Sequence, residues 1–278
     1  MLFAQLTHAL GLKDVCDALH LHSGPLSAIR RATPRSRNGL WHANKVRPSK
    51  MAERLFWKVF DHLGNLPPGF AGGRRRAPLH RFKRAVHIID STVIQLVANC
   101  LDWASHRRPK AAAKCHVRLD FQSLLPRMVI VDQARPHDNV YARALCAGVK
   151  SGEIVIGDRA YLELNHLWEF SQRGVYWVVR EKQNMRYEVI EKREAPEGSG
   201  ILRDEIIMLN KGVPARSVVA IVEVDGEERE MTFLTNNLEW TARTICDLYR
   251  CRWQIEVFSN NSSRPCRWPT FWATAPMR

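Results

Sequence analysis

The sequence lacks the features that mark membrane-spanning and secreted proteins. No stretch approaches about 18 consecutive apolar residues, the length at which a membrane-spanning helix becomes a candidate, so that class is excluded. The N-terminal stretch, residues 1–22, has no basic start and contains Asp14 and Asp17, which makes it a poor match to a secretory signal peptide. We therefore expect a protein with no membrane partner.

Paired cysteines are absent as well. No Cys-x-x-Cys motif occurs, so neither a zinc ribbon nor a thioredoxin-type site can be recognised. Hydrophobic residues make up 45% and charged residues 25% of the 278 residues, an ordinary globular composition whose core needs no disulfides. An odd number of scattered cysteines predicts free thiols in a reducing cytosol. The seven cysteines lie at positions 16, 100, 115, 146, 246, 251 and 266.

Acidic residues are scarce in the first third of the chain. Residues 1–85 contain 16 Lys and Arg against 4 Asp and Glu, whereas the remainder contains 26 against 24. The whole chain has a formal net charge of +14 and a pI near 9.9. A basic third joined to a nearly neutral remainder predicts that one part binds a polyanion and the other has a different task. Nucleic acid is the polyanion favoured over a merely basic, well-solvated surface.

The basic third is predicted to be a helical DNA-binding domain over residues 1–80. Near-helical spacing of apolar residues predicts helices, and polar stretches with proline predict loops. In chain order these are a helix over residues 1–31 broken at Gly24-Pro25, a loop over 33–50 and a helix over 51–63. The turn-rich segment 65–78 is the best candidate linker, and its three consecutive arginines are candidate DNA contacts: Arg74, Arg75 and Arg76.

Beyond Lys83 the pattern changes to one typical of an α/β domain with a mixed sheet. Runs rich in β-branched residues alternate with helical segments over residues 83–258. Short β-like runs separated by polar turns at 184–235 predict an all-β insertion. The predicted order is strand, two strands around a turn at Leu125-Pro126, helix, strand, helix, strand, insertion and a helix with Thr241 as N-cap.

Three acidic residues occupy positions from which carboxylates can converge. Asp90 interrupts the apolar strand VHIIDSTVI, Asp158 follows the strand EIVIG, and Glu256 lies late in the last predicted helix. Each has an ordinary structural explanation alone: a salt-bridged strand residue, a turn residue and a surface helix residue. Together, three carboxylates suit two magnesium ions, which can activate a water or a 3′-hydroxyl and stabilise the leaving oxygen of a phosphodiester.

The last predicted helix carries an aromatic residue, a cation and an acid on one face. Tyr249, Arg252 and Glu256 are three and four residues apart, which aligns them along a helix. An aromatic ring, a guanidinium and a carboxylate suit stacking, phosphate binding and metal ligation at a DNA end. An ordinary amphipathic helix with an Arg–Glu pair is the alternative explanation.

These motifs resemble the DDE transposases of the insertion sequence 4 group. The signature helix of that group is Y-(2)-R-(3)-E-(6)-K, and Tyr249, Arg252 and Glu256 match its first three positions. The first acid of the group lies in an I-D-S/T strand and the second in G-D-R-x-Y, and the sequence has both. The matching segments are Ile89-Asp90-Ser91-Thr92, Gly157-Asp158-Arg159-Ala160-Tyr161, the strand with Lys114 and His116, and Leu234-Thr235-Asn236-Asn237.

The resemblance implies an RNase H-like core that moves a DNA element by cutting and joining its ends. It implies that Asp90, Asp158 and Glu256 hold two Mg²⁺ ions, for which Mn²⁺ can substitute. Tyr249 and Arg252 would hold terminal phosphates, and Lys114 would contact DNA. The expected partners are double-stranded DNA, both element ends and target, and a second copy of the chain in a homodimer on DNA. The expected location is the bacterial cytoplasm, in association with the nucleoid.

Two other functional classes share part of this pattern. A phosphatase of the haloacid type also uses a strand-borne Asp, but it needs a second Asp two residues later, where this chain has Thr92. A catalytically defective transposase remnant that only binds DNA is the stronger alternative.

The C-terminal stretch departs from the signature. The final Lys should fall at position 263, which is Ser263, and residues 259–278 contain three prolines and two tryptophans without helical periodicity. Codons can be chosen for this stretch that, in a shifted frame, encode Lys at that position. We therefore predict that residues 259–278 are an irregular, frameshifted tail and that the chain is a truncated copy.

Overall fold

The computed structural model shows an α/β protein built on one large sheet. It describes residues 12–29, 31–65, 84–95, 112–161, 163–183, 185–195, 199–210, 212–224, 226–253 and 255. The helices are α1 (Leu12–Leu21), α2 (Ser23–Ala28), α3 (Arg37–Val46), α4 (Ser49–Gly64), α5 (Asn139–Cys146), α6 (Leu164–Gln172) and α7 (Ala242–Arg250). The strands are β1 (Val86–Gln95), β2 (Ala112–Asp120), β3 (Pro126–Gln133), β4 (Ile154–Gly157), β5 (Tyr176–Arg180), β6 (Tyr187–Arg193), β7 (Ile201–Leu209), β8 (Val213–Val224) and β9 (Glu227–Thr235).

The sheet contains nine strands in the order β3-β2-β1-β4-β5-β9-β8-β7-β6. Strands β1, β4 and β5 run parallel, and β2 and β3 complete an antiparallel meander with β1. The five-strand part, β3-β2-β1-β4-β5, has the strand order of an RNase H-like fold. The expected RNase H-like mixed sheet with flanking helices is therefore confirmed.

Two apolar cores lie on opposite faces of this sheet. Residues Ile88 and Ile156 belong to the core that packs under α7, whereas Ile89 and Val155 belong to the core under α5 and α6. This split follows from the alternation of side chains along a strand. Asp90 and Asp158 lie on the α7 face of the sheet.

The predicted all-β stretch after β5 is confirmed by β6 to β9. These four strands are antiparallel neighbours, and β9 also pairs with β5, so the stretch extends the central sheet rather than forming a second one. Leu209 and Val213 lie in the core under α5 and α6, so β7 and β8 share apolar packing with the five-strand part.

Two details of the N-terminal helices differ from the prediction. Residues 37–46, expected within a loop, form α3, because Ser36 caps the helix by accepting a hydrogen bond from the Gly39 amide. The expected break at Gly24-Pro25 falls instead at His22, and Pro25 lies in the first turn of α2, where no amide donor is needed. None of the described helices is long and apolar enough to cross a membrane.

Helix α7 begins at the predicted cap, and the chain continues beyond it through a tightened turn to Trp253 and Ile255, which are again helical. The Thr241 hydroxyl accepts a hydrogen bond from the Thr244 amide at 3.2 Å. The regular helix stops at Arg250, and the turn after it is tightened because the Arg252 amide bonds to the Tyr249 carbonyl, three residues back. This turn places Arg252 beside Tyr249 near the end of the helix.

Candidate active site

Strand pairing brings two of the three predicted acids together. Ile89 of β1 is the registered partner of Gly157 of β4 in a parallel pair, and Asp90 and Asp158 each follow directly. Both acids continue the alternation that puts Ile88 and Ile156 under α7, so both lie on the α7 face. The two carboxylates therefore occupy neighbouring positions on one side of the sheet.

Gly157 leaves room for the side chain of Ile89 on the neighbouring strand β1. A Cβ atom at Gly157 would lie 3.2 Å from Cγ1 of Ile89, closer than side-chain atoms ordinarily pack. After Gly157 the chain turns sharply, and the Tyr161 amide donates to the Asp158 carbonyl at 3.0 Å. This turn directs the chain away from the sheet directly after the second acid.

The C-terminal end of α7 contacts both acids. The Tyr249 hydroxyl donates a hydrogen bond to Oδ1 of Asp158 at 3.1 Å. An Nη atom of Arg252 lies 3.6 Å from Oδ2 of Asp90, and the Arg252 guanidinium lies 5.7 Å from the centre of the Tyr249 ring. The signature residues Tyr249 and Arg252 are therefore gathered with Asp90 and Asp158 into one site.

The environment of Tyr249 keeps its hydroxyl protonated. The ring is buried and packs against Phe233 with centroids 4.6 Å apart. Burial, together with the nearby Asp158 carboxylate, raises the pKa of Tyr249 well above its usual value. The phenol therefore remains a hydrogen-bond donor to Asp158 across the physiological pH range.

Polar side chains hold the segment that leads into α7. Asn236 accepts from the Trp177 amide and donates to the Val175 carbonyl, which ties β9 to β5. Asn237 accepts from the backbone amides of Glu239 and Trp240. The Thr-Asn-Asn sequence at the end of β9 thus sets where α7 begins.

A buried ion pair within the all-β insertion also holds the segment that leads into α7. Arg216 of β8 makes two hydrogen bonds to the Asp204 carboxylate of β7, including one of 2.7 Å from Nε to Oδ1. The same guanidinium donates to the carbonyls of Leu238 and Trp240. Asp204 and Arg216 therefore link the insertion to the start of the helix that contacts both acids.

Lys114, another predicted site residue, lies on the other face of the sheet. Lys114 pairs in register with Val93 on β2 and β1, which places it on the face opposite Asp90. There its ammonium lies 2.5 Å from Oδ1 of Asp138, an acid that lies outside all of the signature motifs. Glu256 and the three arginines of the linker fall outside the described residues.

The chemistry of the two described acids fits a hard divalent cation. Carboxylate oxygens are the ligands that Mg²⁺ prefers, and a pair of them on neighbouring strands is a common basis for such a site. Oδ1 of Asp90 accepts from the Ser91 amide at 2.8 Å, which orients that carboxylate. Within the described residues no group of three or more His, Cys, Asp and Glu side chains is arranged as a metal site.

Comparison with known proteins assigns the family. The profile of the transposase DDE domain family matches residues 81–270. The chain belongs to this family. The match includes the two acids and the end of α7, and it extends into the stretch that we expected to be frameshifted.

Two curated relatives bear transposase names. A protein named as a transposase for insertion sequence element IS5377 of Geobacillus stearothermophilus is 26% identical over 234 residues, which is 81% of this chain and 60% of that protein. The transposase-named protein y4zB of Sinorhizobium fredii (strain NBRC 101917 / NGR234) is 30% identical over 200 residues, 68% of this chain and 54% of that protein. This DDE-family chain thus spans between about half and three fifths of the relatives' length.

Among solved structures, the chain is similar to one described as a cryo-EM structure of a piggyBac transposase synaptic complex with hairpin DNA. The TM-score is 0.43 and the sequence identity 11%, over 77% of this chain and 49% of that chain.

Proposed function

We propose that this DDE-family chain cuts and joins the ends of an insertion element by metal-dependent phosphodiester chemistry. The observation that carries the proposal is the convergence of Asp90, Asp158, Tyr249 and Arg252 on one face of the sheet. The spacing of the signature supports membership of the insertion sequence 4 group. The third acid of the proposed site is Glu256.

The proposed roles follow from the chemistry of the side chains. Asp90, Asp158 and Glu256 would hold two Mg²⁺ ions, which supply an activated oxygen nucleophile and stabilisation of the leaving oxygen. Arg252 carries a planar cation suited to a phosphate, and Tyr249 retains a proton to donate. The contacts of these two side chains with the acids support a proposed role in binding a phosphate adjacent to the carboxylates.

The direct test is strand cleavage on a labelled DNA duplex that contains the element end. We expect cleavage by the full chain with MgCl₂ or MnCl₂ and none after chelation with EDTA, because carboxylates without a metal cannot stabilise the leaving oxygen. CaCl₂ at the same concentration serves as the control for ionic strength and divalent charge. Cleavage that persists in EDTA would exclude the proposed chemistry.

The defective, binding-only copy remains the second candidate because Ser263 stands where the signature has Lys. A variant in which residues 259–278 are replaced by the shifted-frame sequence distinguishes the two. If the chain cleaves as well as that variant, the frameshift hypothesis and the binding-only alternative are both wrong. If only the variant cleaves, while both bind DNA, the chain is a defective copy.

The proposed DNA contacts include the arginines of the linker. In the triple variant Arg74→Gln, Arg75→Gln, Arg76→Gln, the slope of log K against log salt should become shallower by about 0.9 for each phosphate that is no longer neutralised. The measurement is the affinity for a DNA duplex at several salt concentrations. Arg229→Gln, which removes one exposed cation near the start of β9, serves as the control. An unchanged slope in the triple variant would remove the linker from the DNA interface.

Partners and location complete the proposal. The basic first third is proposed to bind double-stranded DNA, both the element ends and the target. A homodimer on DNA would bring two element ends together. A protein that binds DNA in this way would act in the bacterial cytoplasm at the nucleoid. Sedimentation of the chain with and without element-end DNA measures whether two copies assemble.

A further inference from the structure

A polar cluster lies on the sheet face opposite the two acids. Its members, which we call the Asp138 cluster, are Ser91, Lys114, His116, Asp138 and Tyr161. Ser91 pairs with His116 across β1 and β2, and both point to the face covered by α5. Asp138 immediately precedes α5, and Tyr161 ends the turn after β4. Four separate elements therefore meet in this cluster.

Asp138 is the centre of the cluster. Its Oδ1 accepts a hydrogen bond from the Ser91 hydroxyl at 3.2 Å and lies 2.5 Å from the Lys114 ammonium. Nδ1 of His116 lies 3.7 Å from the same oxygen and 3.4 Å from the Tyr161 hydroxyl. Every member therefore contacts at least one other member.

The cluster is a hydrogen-bonded unit of low net charge. Lys114 compensates Asp138, and burial lowers the pKa of His116, so its imidazole is neutral at physiological pH. His116 and Tyr161 are almost completely buried. Hydrogen bonds in such a water-poor environment are costly to leave unmade, so the arrangement holds its members in one geometry.

Two members of the cluster are attached to the backbone next to the acids. Ser91 directly follows Asp90, and its amide donates to the Asp90 carboxylate at 2.8 Å. Tyr161 donates its amide to the carbonyl of Asp158. The cluster thus contacts β1 and the turn after β4 from the α5 face of the sheet. It does so next to the two residues, Asp90 and Asp158, whose carboxylates lie on the opposite, α7 face.

We propose that the Asp138 cluster positions Asp90 and Asp158, through Ser91 and Tyr161, for joint metal binding. Ser91, Asp138 and Tyr161 are then positioning residues, because they act through the backbone and touch neither metal nor DNA. The inference rests on the proposed metal-binding role of the two acids. It deepens that role by naming what holds the carboxylates at a fixed separation.

The test is the affinity of the full chain for Mn²⁺, measured by electron paramagnetic resonance of the free ion. Ser91→Ala and Tyr161→Phe each remove one hydroxyl, and we expect each to weaken Mn²⁺ binding about tenfold, as changes in the outer layer of metal sites do. Ser91→Thr keeps the hydroxyl and should bind Mn²⁺ as the unsubstituted chain does.

Tyr141→Phe is the matched control for the tyrosine. Tyr141 lies on α5 with its ring stacked 4.2 Å from His116, but its hydroxyl bonds to Asp132 at 2.9 Å, outside the cluster. We expect unchanged Mn²⁺ affinity in this variant. Equal weakening in Tyr141→Phe and Tyr161→Phe would overturn the proposal, because it would reflect general loosening around α5.

Outcomes for positioning and for the proposed function are separable. If Ser91→Ala and Tyr161→Phe bind Mn²⁺ as tightly as the unsubstituted chain, the positioning role is wrong, whatever the cleavage result. If they bind more weakly while the unsubstituted chain binds Mn²⁺ and does not cut DNA, positioning stands and the proposed function fails. Circular dichroism checks that each variant is folded. If the Tyr161→Phe variant is unfolded, the Ser91→Ala variant, which is the smaller change, alone tests the proposal.

Discussion

Replacing either Asp90 or Asp158 by asparagine is expected to slow magnesium-dependent strand cleavage by about a thousandfold. Asparagine keeps the shape of the side chain but removes the charge that would hold a metal. Metal-ion catalysis supplies several kcal/mol of charge stabilisation, and about 1.4 kcal/mol corresponds to each tenfold in rate. The measurement is the single-turnover rate on a labelled element end at saturating MgCl₂.

Asp132→Asn is the matched control because Asp132 is an exposed carboxylate at the end of β3 that bonds to Tyr141. It should leave cleavage within a factor of about two, as changes of up to about 0.5 kcal/mol at exposed positions do. Both site variants should still bind duplex DNA, since removing an acid does not reduce phosphate attraction. A site variant that cleaves at the unsubstituted rate would exclude that acid from the reaction.

The second large effect is expected on stability, from Asp204→Asn. This change leaves the Arg216 guanidinium buried beside a neutral amide, and breaking a buried ion pair from one side costs about 3–5 kcal/mol. The side chains of Asp204 and Arg216 are only 4% and 6% exposed, so water cannot take the place of the missing charge. The free energy of unfolding should fall by that amount in urea titrations.

Glu188→Gln is the control for Asp204→Asn, since it removes an exposed carboxylate from β6 and should change stability by at most about 0.5 kcal/mol. Because Arg216 also bonds the carbonyls of Leu238 and Trp240, the Asp204 variant should also loosen the start of α7. Faster amide exchange at the first residues of α7 would report this. A decrease in stability as small as that of Glu188→Gln would show that the pair contributes little.

The positions of the strands were predictable because they depend on patterns of neighbouring residues in the sequence. Short apolar runs rich in β-branched residues favour strands, and the structure has β1 and β4 at the runs that start from Val86 and Ile154. The Thr241 cap was predictable for the same reason, since capping involves only residues three positions apart. The prediction of a loop over 33–50 was wrong because it relied on the polar composition of this segment. The Ser36 cap was enough to begin α3 there.

The face on which each polar residue lies was not predictable from the pattern. Lys114, for which the resemblance implies DNA contact, lies on the face opposite the acids and against Asp138 because of the register of β2 against β1. Asp138 itself has no distinctive signal in the sequence, because an Asp before a helix is also an ordinary helix start. Its contacts with Ser91 and Lys114 exist only once β1, β2 and α5 are packed together.

The sequence by itself determined the class of protein and the order in which its candidate site residues follow one another along the chain. The scarcity of acids in the first third, the strand-borne Asp90 and Asp158, and the Tyr249–Arg252 spacing all follow from adjacent or periodic residues. Only the tertiary structure decided that the end of α7 contacts both acids, that the insertion extends the sheet, and that a polar cluster backs the site. These arrangements depend on strand register and packing between residues far apart in the chain, and such distances have no local signature.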